Sequence, residues 1–194
     1  MGECFHWERQ PIMKVREVLI PSGEKFVVPQ GIQRIDTKST HGWQVRYQGT
    51  KMFSDHTQDV SGAKQAFAKA TRELLARIAT LPAPVALQRS PSEGKTSGLP
   101  PGISGPIIRT RTGANVRTAN LSVLLPQFGK PPKCATVYIG NENTYTPQRY
   151  KQALAKAIEL RQSAQENYEG SATRAKRKAA LAMRAAMRQG ASRQ

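Results

Sequence analysis

Acidic residues are scarce in this chain. Thirteen Asp and Glu stand against 30 Lys and Arg in 194 residues, for a formal net charge of +17. A compact body so charged repels itself and favours a polyanionic partner, nucleic acid before an anionic membrane surface. Cysteine is nearly absent. Cys4 and Cys134 lie far apart, so no disulfide framework is expected, and a reducing cytoplasm (the nucleoid, for a nucleic-acid binder) is the natural home. No apolar run approaches the roughly 20 residues that span a bilayer. The opening "MGECFHWERQPIMK" also lacks the apolar stretch of a signal peptide, so no membrane partner is expected.

Chemistry-bearing clusters are thin as well. Cys4 and His6, with His41 and His56, supply only one close pair where a closed zinc site wants four ligands. "SEGKTSG" contains GKT without the earlier glycine or the strand-to-helix context of a phosphate loop. No nucleophile–base–acid set stands out. The chain therefore reads as no enzyme, with no metal and no cofactor.

What is present is periodicity. "KVREVLIPSGEKFVVPQ" reads as a hairpin turning at Pro21-Ser22-Gly23, and "GIQRID" as a strand. "GWQVRYQGTKMFSD" alternates, with Trp43, Val45 and Tyr47 opposed to Gln44, Arg46 and Gln48. The period then changes. Ala63, Ala66, Phe67, Ala70, Leu74 and Ile78 mark one helix face, capped by Asp59 or Ser61 and stopped by Pro82 and Pro84. Residues 82–104 are rich in Pro, Gly and Ser and read as a flexible linker.

Beyond the linker the same order returns. "IIRTRT", "VRTANLSVLLPQFG" and "KCATVYIG" read as strands, and a helix follows with Thr146 as cap and Pro147 in its first position. The tail is basic, and Arg174, Arg177, Lys178, Arg184 and Arg188 cluster on one side of a helical wheel. Rich in alanine, it would order on a polyanion or against the body.

The expected architecture is α+β: two small modules, each a three-stranded antiparallel sheet on one helix. Residues 1–29 form an N-terminal hairpin extension, 30–81 the first module, 82–104 the linker, 105–169 the second module and 170–194 the basic helical tail.

A three-stranded sheet can place one face on a helix and leave the other open. In the first module the helix would cover Ile32, Trp43, Val45, Tyr47 and Met52. The open face would hold Gln33 or Arg34, Gln44, Arg46, Gln48, Lys51 and Phe53. Arg can bridge guanine O6 and N7, and Gln can bridge adenine N6 and N7. Lys38 in the loop, with Lys64 or Arg72 on the helix, could hold phosphates.

The run "GIQRID…GWQVRYQGTKMFSD…SGAKQAFAKATRELL" resembles the ethylene-response-factor (ERF, APETALA-two class) DNA-binding domain. It is also similar to the arm-binding domains of some integrases. "QGIQ", "WQVRYQ" and "KMFSD" stand for the family's three strand motifs, with Phe53 in place of a Trp, and Ala63, Ala66 and Phe67 match its helix. In that family the sheet lies in the major groove. The resemblance then implies Gln33, Arg34, Gln44, Arg46, Gln48, Lys51 and Phe53 as DNA-facing residues. Gln30, Gln33 and Gln48 replace family arginines, so the family's target sequence does not carry over. The second half fits more loosely through "TVYIGNENTYTPQRYKQALAKA", with Tyr138 at the Trp position. It implies Arg109, Arg111, Arg117, Asn120, Ser122, Thr136 and Tyr138.

The expected function is sequence-specific binding of double-stranded DNA by two tandem reading heads. A transcriptional regulator of bacterial or phage type is the leading form, with a homodimer or the transcription or recombination machinery as further partners. The alternatives are an RNA-binding protein, an architectural accessory of recombination, and a scaffold whose tail docks on an acidic surface. Aromatic content of 6% favours duplex DNA over the stacking platforms of RNA readers.

Overall fold

The computed structural model describes residues 13–57, 61–110 and 116–191, with side chains through residue 187. Cys4, His6, Asp59 and Arg111 lie outside the described residues. The chain is α+β and divides into two compact units. The first is Met1–Pro84 with Thr173–Gln194, the second Val85–Ala172.

The first unit opens with a hairpin, β1 (Val15–Leu19) against β2 (Lys25–Pro29), turned at Gly23 with φ of 83°. A three-stranded antiparallel sheet follows: β3 (Ile32–Asp36), β4 (His41–Arg46) and β5 (Thr50–Ser54), with β4 central. Helix α1 (Ala63–Thr80) covers one face. Alternation in β4 sends Trp43 and Val45 inward, where both are fully buried against Leu74 and Ile78 of α1. The Trp43 indole N–H donates to the Ala63 carbonyl at 3.0 Å, tying the sheet to the first residue of the helix.

Phe26 of the hairpin completes a ring cluster with Trp43 and Phe67, with centroids 4.9–5.3 Å apart. The hairpin also contributes Ile20 and Val28 to this core. Gly42 admits no side chain, since a Cβ there would lie 2.2 Å from the Phe53 carbonyl oxygen. The helix begins differently from expectation. Its N-cap is Gly62, without a side-chain cap, and the Ser61 hydroxyl donates to Thr57 Oγ1 instead.

The second unit holds β6 (Ile103–Thr110), β7 (Arg117–Gln127) and β8 (Lys130–Asn141), again antiparallel with the middle strand central. Pro106 falls at a register shift in the edge strand β6, where a missing N–H is tolerated. The segment "LLPQFGKPPK" spans the β7–β8 turn, at Phe128-Gly129. Ile103, Leu121, Val123, Val137 and Ile139 form the core with Ala153 and Ala157 of helix α2 (Pro147–Ala191). Thr146 caps that helix as expected, its hydroxyl accepting from the Arg149 N–H at 3.2 Å.

Two expectations change here. The linker has no regular element before Ile103, yet Leu99 is only 5% exposed in the second core. Lys95 Nζ donates to the Ile103 carbonyl at 2.7 Å. The tail is not a separate element either: α2 runs on through Gly170 to Ala191. Within the first unit, Ala179, Ala180 and Met183 of this helix pack on the core that α1 covers.

Candidate nucleic-acid interface

Cross-strand partners in an antiparallel ladder share a face. Gln33 pairs Gln44, Gln44 pairs Met52, and Arg46 pairs Thr50. These residues, with Ile35 and Ser54, make up the face of the first sheet opposite α1. Arg46 is exposed and donates through Nε to Gln44 Oε1, so the two side chains form one hydrogen-bonding unit.

Four expected readers stand elsewhere. Lys51 pairs Val45 and Phe53 pairs Trp43, which puts both on the helix side. Lys51 Nζ is 3.3 Å from Glu73 of α1, and Phe53 packs on the core. Met52, expected under the helix, is on the open side, and its methyl lies 2.9 Å from where a Gly42 Cβ would be. The cause is the connection. With three residues between Arg46 and Thr50, even positions of β4 face even positions of β5, and a one-residue slip inverts every side chain. Gln48 (φ 49°) and Gly49 (φ 108°) take the left-handed backbone this turn requires.

Arg34 is the second correction. It pairs Trp43 across the ladder, and its guanidinium lies 5.1 Å from that ring. Nη2 is 2.7 Å from both Asp36 Oδ1 and Asp55 Oδ2. Burial works against the charge, but the hydrogen bonds and charges of the two carboxylates outweigh it and raise the Arg34 pKa. Arg34 is a structural clasp. Gln48 is the third: its Nε2 donates to the Pro82 carbonyl at 3.2 Å, away from the row. Lys38 is exposed in the β3–β4 loop.

In the second sheet, Arg109 pairs Thr118, Asn120 pairs Tyr138, and Ser122 pairs Thr136. All are on the side opposite the buried Leu121 and Val123. The open row of Arg109, Asn120, Ser122, Thr136 and Tyr138 is thus assembled as expected, with Tyr138 53% exposed. Arg117 is not in it. It shares the parity of Ala119 and Leu121 and forms an ion pair with Glu142. Leu124 and Cys134 pair each other further along the open side.

The tail cations divide. Arg177 Nε and Nη2 donate to the carbonyls of Ile78 and Thr80, each at 3.4 Å, where the end of α1 concentrates negative potential. Arg174, Lys178 and Arg184 are exposed, and the Arg188 side chain lies outside the described residues. Sequence reasoning missed Lys14 and Arg16, which stand beside Gln33 and Arg46 along one groove. Their strand alternation was the available signal.

Among the described residues, no group of three or more His, Cys, Asp or Glu is placed to hold a metal ion, and no helix is long and apolar enough to cross a membrane. Compared with protein-family models, with curated proteins and with solved structures, the chain matches none.

Proposed function

We propose that this protein binds double-stranded DNA without catalysing a reaction, with the helix-free faces of its two small sheets directed into the major groove. One observation carries the reading. Each sheet has a helix on one side and a row of hydrogen-bonding side chains on the other, in a chain with net charge +17. Three strands spaced about 4.8 Å apart set the outer two roughly 10 Å from each other. That width is comparable with a major groove about 12 Å across.

In this reading Gln33, Gln44 and Arg46 touch bases from the first sheet, and Arg109, Asn120 and Tyr138 from the second. Ser122 and Thr136 are short hydroxyl partners. Lys38 and the exposed tail cations hold phosphates. The resemblance to the ERF domain supports the same orientation, in a regulator of transcription of bacterial or phage type. Two weak heads on one chain reinforce each other through effective concentration.

Selection of bound sites from random duplexes tests the reading. Two short motifs at a fixed spacing are the expected result, and recovery of no preferred sequence opposes it. The exposed Tyr138 beside Asn120 favours a second reading, a stacking platform for single-stranded RNA. Direct competition between duplex DNA and single-stranded RNA at fixed salt separates the two.

A further inference from the structure

A groove of about 450 Å³ borders the first open face. Its walls come from β1, the β2–β3 turn, the start of β3, the end of β4, and α2, all within the first unit. Four cations line it: Lys14, Arg16, Arg46 and Lys176. The amides of Gln30 and Gln33 join them, and no acidic side chain among the described residues does.

Four other cations of this unit have carboxylate partners. Arg34 has Asp36 and Asp55, Lys51 and Arg77 share Glu73, and Lys64 has Glu24. The groove gathers four cations with no carboxylate in its lining among the described residues, so its charges repel one another when it holds only water.

A second observation points the same way. Tyr47 lines the groove, is 3% exposed, and its hydroxyl has no hydrogen-bond partner among the described residues. A buried hydroxyl without a partner is costly and uncommon in native interiors. Burial also pushes the Lys176 ammonium below its ordinary pKa. A seated anion relieves both conditions, accepting from a hydroxyl and favouring the charged lysine.

We propose that this groove is a phosphate site, and that it takes a backbone phosphodiester of the duplex contacted by the adjoining sheet face. Phosphate suits the lining because its oxygens accept from ammonium, guanidinium, amide and hydroxyl donors together. Gln33 and Arg46 belong both to the groove and to the open face, so a strand seated here is held in register with the side chains that meet bases. The phosphate chemistry stands by itself; its assignment to a nucleic-acid backbone rests on the duplex reading.

The test uses the full chain and two probes, inorganic pyrophosphate and a short random-sequence duplex. The double variant Lys14→Gln/Lys176→Gln removes two charges. Tyr47→Phe removes one hydroxyl and keeps the ring in the core, and circular dichroism checks both folds. Calorimetry is expected to show pyrophosphate binding to the wild type, abolished in the double variant and weakened several-fold in Tyr47→Phe. The salt slope of duplex binding should flatten by about 0.9 for each phosphate that the variant no longer neutralises.

Loss of pyrophosphate binding with an unchanged duplex slope keeps the phosphate site and overturns its assignment to the backbone. Pyrophosphate that binds wild type and variants alike, or none of them, overturns the site. A wild type that binds pyrophosphate but no duplex overturns the duplex reading and leaves a site for a free phosphate ester.

Discussion

Arg34 and Asp55 are joined at 2.7 Å, with side chains 6% and 0% exposed. Twenty-one residues separate them in the chain, and their pairing fixes the end of β5 to the edge strand β3. A charge buried this deeply is stable only while its partner remains. Asp55→Ala leaves Arg34 with Asp36 alone and is expected to destabilise the fold by about 3 kcal/mol, as for a broken buried pair. Urea denaturation measures it. A loss smaller than that of an ordinary surface change would mean the clasp is dispensable.

The parity of β5 gives a second prediction. Phe53→Ala should lower stability by roughly 1–3 kcal/mol, the range of ordinary destabilising substitutions. Met52→Lys should cost little, because Met52 is on the face without a helix. Chemical denaturation of both variants checks the pair, and the reverse ranking would restore the inverted register.

Asp36 supplies a pH dependence. Its burial favours the neutral acid, but hydrogen bonds from Arg34 and His41 win and hold the carboxyl below its ordinary 3.8. A carboxylate with a depressed folded pKa stabilises the fold at pH values above its unfolded pKa. That contribution fades as pH falls from about 4 through the lower folded value. Asp36→Asn should therefore flatten the acid limb of a stability-against-pH curve. An acid limb identical in wild type and variant would contradict this linkage.

The basic tail has a structural duty beside its charge. Ala180 is 7% exposed in the core shared with Leu75 and Ile78. Ala180→Glu forces a larger, polar side chain into apolar packing and should lower the unfolding midpoint by the equivalent of about 2 kcal/mol. Arg184→Ala, on an exposed position, should leave the midpoint in place while weakening duplex binding on all sequences. Equal stability of the two variants would detach the tail from the core.

Much of this fold was legible from period and punctuation. Trp43 and Val45 against Gln44 and Arg46 is a two-residue alternation, and Ala63 through Ile78 a helical one. Thr146-Pro147 is a local start signal, and the structure bears each out. What was not legible depends on distant partners or on counting. The face of Lys51 and Phe53 is set by the number of residues in the turn, which alternation within one strand does not reveal. Arg34 looks like a reader until Asp55 is brought beside it. The hairpin reads as an extension because Phe26 meets Trp43 and Phe67 only in three dimensions. The boundary expected between 169 and 170 falls inside α2, where a glycine costs little in a helix that packs on a core before and after it.

The central claim is that the helix-free sheet faces touch bases. Its most direct test compares Arg46→Ala with Lys51→Ala, two neighbouring cations on opposite faces, on a selected duplex site and on random duplex. Arg46→Ala should lose about 1–3 kcal/mol of discrimination between the two, the worth of a bidentate base contact, while Lys51→Ala keeps it. Equal losses on both duplexes for Arg46→Ala, or discrimination lost through Lys51 instead, would contradict the account.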